Sequence, residues 1–360
     1  MRYNKKNHFF DKGGVSLKKP FLPALALALL LKGCSMPAQP TPTPVSDPVE
    51  STIFAMDTVM TFKVYGQEDD LKAISDRING LERDLSVTRE GSQVYALNHS
   101  GGEPVTAGED FLTLLELARE LGDRTGGALD VTMYPVVREW GFTTGTYHIP
   151  DEGTLSSLLD NVDYTAVTAE GDQVSLPAGM ELDLGAIAKG YAGEMAADLL
   201  RERGVTSALL NMGGNVQSVG SRTDGTPWRI GIQDPNQGTG AYLGVLQLVD
   251  QAAVTSGGYE RYFEEDGVRY WHIMDPHTGA PARSGLVSVT IVGDKGGLCD
   301  GLSTSLFVLG REKALDYWRT YGGFEAILVD EESNVWVTGG LKDSFTLVAD
   351  SPYTLNIVEE

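Results

Sequence analysis

The sequence predicts an α+β protein rather than a doubly wound parallel sheet. Strand-like runs crowd the second half: WRIGIQDP, GVLQLVD, QAAVTSG, SGLVSVTIVG, FEAILVD and VWVTG. The clearest helical periods are separate blocks, such as Leu71, Ile74, Ile78, Leu81 and Leu85. Strands and helices do not alternate as regular βαβ units, and no repeat of about 20–50 residues is present.

In order, the chain opens with a basic stretch containing Arg2, Lys5, Lys6, Lys12, Lys18 and Lys19, followed by the apolar run Phe21 to Leu31. That is the pattern of a secretory signal, too short to span a membrane stably. It ends in LKGC, which resembles a bacterial lipobox with Cys34 as the lipidated residue; an ordinary signal peptide with an incidental cysteine is the alternative. The Pro/Thr-rich segment after Cys34 reads as an extended spacer. The expected organisation is a signal at 1–33, an anchor and linker at 34–50, and a folded domain at 51–350, on the extracytoplasmic side of the membrane.

Ile53 to Tyr65 reads as strand, Asp69 to Leu85 as helix, and Ser92 to Asn98 as a loop with a short helix. A second helix is expected from Asp110 to Thr125, then a β-rich run in GGALDVTMYPVVREWGF, with Trp140 and Phe142 as core aromatics. Glu181 to Leu200 organises the middle of the chain: a strand at Leu182 to Leu184, a turn at Gly185, and a helix from Ile187 or Ala188. A strand, a glycine turn and a helix start offer N–H groups to an anion, with Asp183 and Lys189 beside them. The plainer reading is a βα connection with a surface lysine. Further on come a hairpin in YERYFEEDGVRYW, a turn at Asp275-Pro276, and helices at Leu298 to Gly310 and Arg311 to Tyr321.

Composition restricts the chemistry. Hydrophobic content of 41% and charged content of 22% are those of a soluble globular domain, and 360 residues allow one large domain or two lobes. With 50 acidic against 28 basic residues the net charge is −22, which argues against nucleic acid, because phosphate neutralisation needs a basic face. A phosphorylated ligand must therefore be held locally, by a metal, a helix end or a few lysines. Cys34 and Cys299 alone supply no disulfide framework or thiolate cluster, so any metal should be a hard cation on oxygen ligands. Asp300 and Thr304, four apart on a helix, present a carboxylate and a hydroxyl on one face. As a purely structural alternative, Asp300 is an N-cap.

MDT at Met56, the Ser92 to Asn98 loop, GGALDVT at Gly126, LDLGAIAKGYA at Leu182, NMGGN at Asn211, TSGGYERYF at Thr255, HIMDPHTGAP at His272 and DGLST at Asp300 occur together in this order. In this the sequence resembles the ApbE flavin transferase family over roughly residues 53–345. The resemblance implies a two-lobed, T-fold-like α+β architecture with an FAD cleft. It implies Mg²⁺-dependent transfer of FMN from FAD to a Ser or Thr hydroxyl of a target flavoprotein, with release of AMP. An FAD pyrophosphatase and a non-catalytic FAD-binding lipoprotein are the alternatives. Carried over by position, Ala186 (through its carbonyl), Asp300 and Thr304 would bind Mg²⁺. Met56, Thr88, Ala128, Leu129, Asp130, Asp183, Lys189, His272 and Ile273 would contact FAD. His272 would activate the attacking hydroxyl, with Asp300 as its catalytic companion on the metal; a core histidine is the alternative. Thr88 stands where many members carry a flavin-stacking aromatic, and Cys299 and Gly301 flank Asp300 where alanine is usual; Cys299 is expected to be packing.

Overall fold

Nine strands form one sheet and lie side by side in the order in which the chain makes them: Val49–Ala55, Thr58–Val64, Ala208–Asn211, Val216–Val219, Ala252–Gly257, Leu286–Gly293, Glu325–Asp330, Asn334–Thr338 and Thr354–Val358. All neighbours are antiparallel except the last two, which are parallel. The long insertions between strands carry the helices, so the sheet is a meander and not a doubly wound sheet. The computed structural model describes residues 47–238 and 240–359. Those residues belong to one compact unit. The signal segment, Cys34 and the spacer lie outside them.

The central strands are apolar on both faces because both faces are covered. Ala326 and Leu328 point into the cluster under the helices, whereas Ile327 and Val329 point into a second cluster. Val254 and Ala253, and Ile291 and Val292, divide in the same way, as the two-residue period of a strand requires. On the helical side lie Glu68–Leu85, Glu109–Thr125, Gly185–Glu202, Gly296–Leu309 and Arg311–Tyr321. The first has three acids in its opening turn, which suits the positive end of its dipole, and buries Leu71, Ile74, Ile78, Leu81 and Leu85. Leu81 is fully buried, so truncation to alanine would cost about 2–5 kcal/mol. The second cluster is roofed by a three-stranded sheet, Phe345–Leu347, Tyr242–Leu248 and Trp228–Gln233 in that spatial order. A third cluster joins Met133, Val136, Trp140, Phe142 and Met274 to Phe263 and Tyr270 of the Tyr262–Trp271 hairpin. Trp140 and Phe142 are core aromatics as expected, and the Trp140 indole N–H donates to the Gly279 carbonyl at 2.8 Å.

Several local expectations need correction. Leu182 to Leu184 joins no ladder, and Leu184 already turns into the helix as its N-cap, with φ −101° and ψ 8°. The Asn98 side chain both donates to the Leu182 carbonyl (2.8 Å) and accepts from its N–H (2.7 Å), and Asp183 N–H donates to the Val131 carbonyl at 2.8 Å. These bonds replace the sheet partner that a strand would need. The helix begins at Gly185, earlier than Ile187. The run after Gly126 makes turns and the short helix Tyr134–Glu139, where Pro135 fits the first turn. The sheet starts at Val49 and continues past residue 350 through Thr354–Val358. Asp300 lies a full turn inside the helix Gly296–Leu309, so it is not an N-cap.

The two helices Gly185–Glu202 and Gly296–Leu309 meet at two glycines. A Cβ placed on Gly190 would stand 2.1 Å from the Gly296 carbonyl oxygen, and one on Gly296 would stand 2.3 Å from the Gly190 carbonyl oxygen. No side chain fits, so the backbones touch. Gly190→Ala is expected to destabilise the protein by about 1–3 kcal/mol or more through forced separation of these helices. Gly193→Ala on the same helix meets only the Met212 and Gln217 side chains, at 3.3 and 3.4 Å, and should cost less. Paired thermal melts of the two variants check this.

Candidate active site

Every site residue named from the sequence, apart from Cys34, lines one cavity of about 1120 Å³. Its floor is the glycine crossing. Asp300 is 4% exposed and accepts two hydrogen bonds, from the Gly190 N–H at 2.8 Å and from the Asn215 amide at 3.0 Å. In a regular helix the Gly190 N–H serves the Ala186 carbonyl; here it also reaches across to the neighbouring helix. Burial pushes the Asp300 carboxyl above the usual carboxylate range, opposed by Lys189 and by these two donors. One turn further on, the Thr304 hydroxyl lies 3.3 Å from the Ser256 hydroxyl, which is itself 2.7 Å from Ser303.

Lys189 projects from the second turn of the Gly185 helix and donates to the Gly185 carbonyl at 3.3 Å. Asp183 accepts from the Gly185 N–H at 2.9 Å, and burial raises its carboxyl despite the nearby Lys189 and Arg261. Glu260 also lines the cavity. It keeps surface open to the cavity but is hemmed in by protein, and desolvation together with Asp300 pushes it up to about 7, against the pull of Lys189 and Arg261. Six carboxyl groups, Asp57, Glu82, Asp130, Asp183, Glu260 and Asp300, thus line one cavity with three cations, Lys189, Arg229 and Arg261. The arrangement has more negative charge than its own side chains neutralise.

His272 follows the hairpin, and its ring Nδ1 lies 3.2 Å from the Arg261 carbonyl. A carbonyl only accepts, so this contact puts the neutral ring's proton on Nδ1 and leaves a lone pair on Nε2. Burial, Arg261 and Lys189 hold His272 down at about 3, so the imidazole is neutral at physiological pH. Ile273 is buried beside it. Met56 and Asp57 form the tip of the first hairpin with φ of 51° and 60°, a conformation that costs a non-glycine residue strain, and Met56 lines the cavity. Ala128 and Leu129 contribute lining, whereas the Asp130 carboxylate is engaged by the Thr132 N–H at 2.8 Å and, from beyond the next two helices, by the Tyr164 N–H at 3.0 Å. Thr88 is exposed at the cavity's edge. Cys299 is 1% exposed in the main core and takes no part in the cavity.

Sequence reasoning missed Glu260, Arg261, Ser256 and Asn215. The first three lie in or beside the TSGGYERYF segment and the fourth closes NMGGN, so the signal was present in motifs used only as landmarks. Among the described residues no group of three or more His, Cys, Asp or Glu side chains is arranged to hold a metal.

The ApbE family model matches residues 56–328. The chain belongs to the ApbE family. It is 33% identical over 300 residues to an FAD:protein FMN transferase of Vibrio cholerae, covering 82% of this chain and 89% of the relative. A Treponema pallidum FAD:protein FMN transferase is 36% identical over 291 residues, covering 76% and 80%. The ApbE protein of Thermotoga maritima superposes with a TM-score of 0.74 at 31% identity, over 79% of this chain and 95% of that one. The flavin transferase ApbE of Vibrio cholerae gives a TM-score of 0.71 at 29% identity, over 84% and 96%. Its α+β meander is therefore the ApbE fold, and the cavity lies within the matched region.

A pH prediction follows from Glu260. Its folded-state value, about 7, lies above the model-peptide value of 4.5, so its protonated form favours folding below pH 4.5 and that advantage is lost as pH rises through 7. Measured in EDTA, Glu260→Gln should gain stability relative to the unaltered protein between pH 4.5 and pH 8. A constant difference across that range would show that Glu260 is not desolvated.

Proposed function

We propose that this ApbE-family chain transfers the FMN half of FAD to a Ser or Thr hydroxyl of a target flavoprotein and releases AMP. The acceptor oxygen bonds to the FMN phosphorus, the bond from that phosphorus to the bridging oxygen breaks, and AMP leaves with the electron pair. The hydroxyl proton passes to a base. One observation carries the reading: His272 with a free Nε2, Lys189, and the Asp300/Thr304 pair line a single cavity large enough for a dinucleotide.

The donor set fits Mg²⁺: the Asp300 carboxylate, the Thr304 hydroxyl and the Ala186 carbonyl are all oxygen, and carboxyl groups outnumber cations in the lining around Asp300. A single protein carboxylate also suits Mg²⁺, which keeps waters and takes its remaining ligands from substrate phosphates. Bound there, Mg²⁺ neutralises charge on the pyrophosphate oxygens. Lys189 adds a fixed positive charge at the same turn, and the Gly190 and Asn215 donors hold Asp300 in place without reorganisation. Burial, with Arg261 and Lys189 adding to it, keeps His272 neutral, so its Nε2 lone pair is free to take the hydroxyl proton. Phosphoryl transfer asks for in-line placement and charge neutralisation, so no protein nucleophile is required.

Asp300→Asn tests the reading. Asparagine can keep one of the two inward hydrogen bonds, so the loss of stability should stay within about 1–3 kcal/mol. FMN transfer and AMP release should fall about a thousandfold or more. Intact-mass spectrometry of the acceptor and chromatography of the nucleotides report both. A folded variant with near-normal transfer at low Mg²⁺ would overturn the metal assignment. Free FMN and AMP without an adduct would instead make the chain an FAD pyrophosphatase, and intact FAD an FAD carrier.

The anchor belongs to the same proposal: lipidation at Cys34 would hold the domain on the extracytoplasmic face of the membrane, with the Pro/Thr-rich spacer giving reach. Cys34→Ser should move the protein from the membrane fraction to the soluble extracytoplasmic fraction. Recovery of the unaltered protein in the soluble fraction would refute it.

A further inference from the structure

The three-stranded sheet that roofs the second core ends in a strand with a free side. Trp228–Gln233 pairs with Tyr242–Leu248 and, among the described residues, with nothing beyond. The register shows which groups that free side carries. Gln247 N–H donates to the Ser344 carbonyl and Val348 N–H donates to the Leu243 carbonyl, so residues 243, 245 and 247 turn toward the Phe345 strand. In an antiparallel ladder the alternate residues, 244, 246 and 248, then serve the other side, opposite Ile232, Ile230 and Trp228. The N–H and C=O groups of Arg229 and Gly231 are left pointing outward. Both residues are exposed, and both line the active-site cavity.

The ground beside this edge is apolar and uncovered. Leu209 packs under the roof sheet with Ile230. Lys63 is its direct cross-strand partner, so Val59, four residues back on that strand, has its side chain on the same sheet face, and so has Phe54 opposite Val59. Phe54 and Val59 are 68% and 56% exposed. A further strand laid along Arg229 and Gly231 would extend the roof over them. Ile232 shares its cluster with Val216 and Ala253, the neighbours in sequence of Asn215 and, three residues on, Ser256. These touch Asp300 and Thr304, and Arg229 and Gly231 line the same cavity as that pair.

We propose that the acceptor protein docks here by β-augmentation, adding an extended segment to the free edge of Trp228–Gln233 and carrying its hydroxyl into the cavity. This rests on the transferase reading above and names how the second substrate is held. Main-chain bonds to Arg229 and Gly231 supply affinity without demanding a particular sequence, and Phe54 and Val59 accept apolar side chains from alternate positions. An unprotected edge beside exposed apolar side chains is a hazard unless a partner uses it.

Gly231→Pro removes one outward N–H and leaves the ladder donors Ile230 and Ile232 intact; Gly231→Ala keeps the N–H and meets only Tyr242 at an ordinary 3.4 Å. Val59→Glu, outside the cavity lining, charges the uncovered face. Each variant of the mature protein is assayed with FAD, MgCl₂ and a flavin-free preparation of an acceptor domain that the unaltered protein modifies, and FAD affinity is read separately by flavin fluorescence. Gly231→Pro and Val59→Glu should each raise the KM for the acceptor about tenfold or more, with FAD affinity within about twofold and Gly231→Ala near normal. Unchanged acceptor KM in folded Gly231→Pro and Val59→Glu would overturn the proposal, and so would a loss of FAD affinity matching the loss of transfer, since the edge would then belong to the FAD site. No adduct from the unaltered protein with any acceptor would overturn the transferase reading and this proposal together.

Discussion

The site depends on a contact that no side chain makes. Gly190 and Gly296 bring two helix backbones into touch, and only at that distance does the Gly190 N–H reach the Asp300 carboxylate. Asn215, at the end of the NMGGN loop, closes the other oxygen. A carboxylate taken out of water is costly unless donors hold it, and here two neutral donors do so without cancelling its charge. The negative charge stays available to a cation in the cavity while its position is fixed from behind. The insertion between the second and third strands of the sheet delivers one helix, the insertion between the sixth and seventh delivers the other, and the sheet sets their approach.

Charge explains how so acidic a chain can take a dinucleotide. Lys189, Arg229 and Arg261 are the cations lining the cavity, and against them stand six carboxyl groups, of which Asp183, Glu260 and Asp300 are raised by desolvation. Such a balance disfavours a pyrophosphate, which is the reason for proposing that Mg²⁺ accompanies it. Burial first, and then Arg261 and Lys189, keep His272 neutral, with its proton on Nδ1 and its lone pair on Nε2.

Much of this was legible in the sequence, for identifiable reasons. The helix Glu68–Leu85 announced itself because its buried leucines and isoleucines recur at 3.6 residues, and Asp300/Thr304 because four-residue spacing on a helix needs no tertiary knowledge. Leu182 to Leu184 misled because an apolar triplet looks like a strand whether its partner is a ladder or the side chain of Asn98, 84 residues away. The run after Gly126 misled similarly, Val136 and Val137 being claimed by the Trp140 cluster and Val131 by the main core instead of a sheet. Glu260 stayed hidden because an acid among acids carries no signal until the fold desolvates it. The glycine crossing was also invisible, since one glycine in each of two distant segments says nothing of their meeting.

On the proposed reading the protein would offer Mg²⁺ one carboxylate and neutral oxygens, leaving the substrate to complete its shell. Calorimetric titration of Mg²⁺ into the protein with and without FAD, acceptor withheld, measures this directly. The account predicts at least about tenfold tighter Mg²⁺ binding when FAD is present, with FAD binding strengthened by the same factor when Mg²⁺ is present, as linkage requires. In Asp300→Asn that coupling should vanish. Equal Mg²⁺ affinity with and without FAD, or coupling that survives in Asp300→Asn, would contradict it.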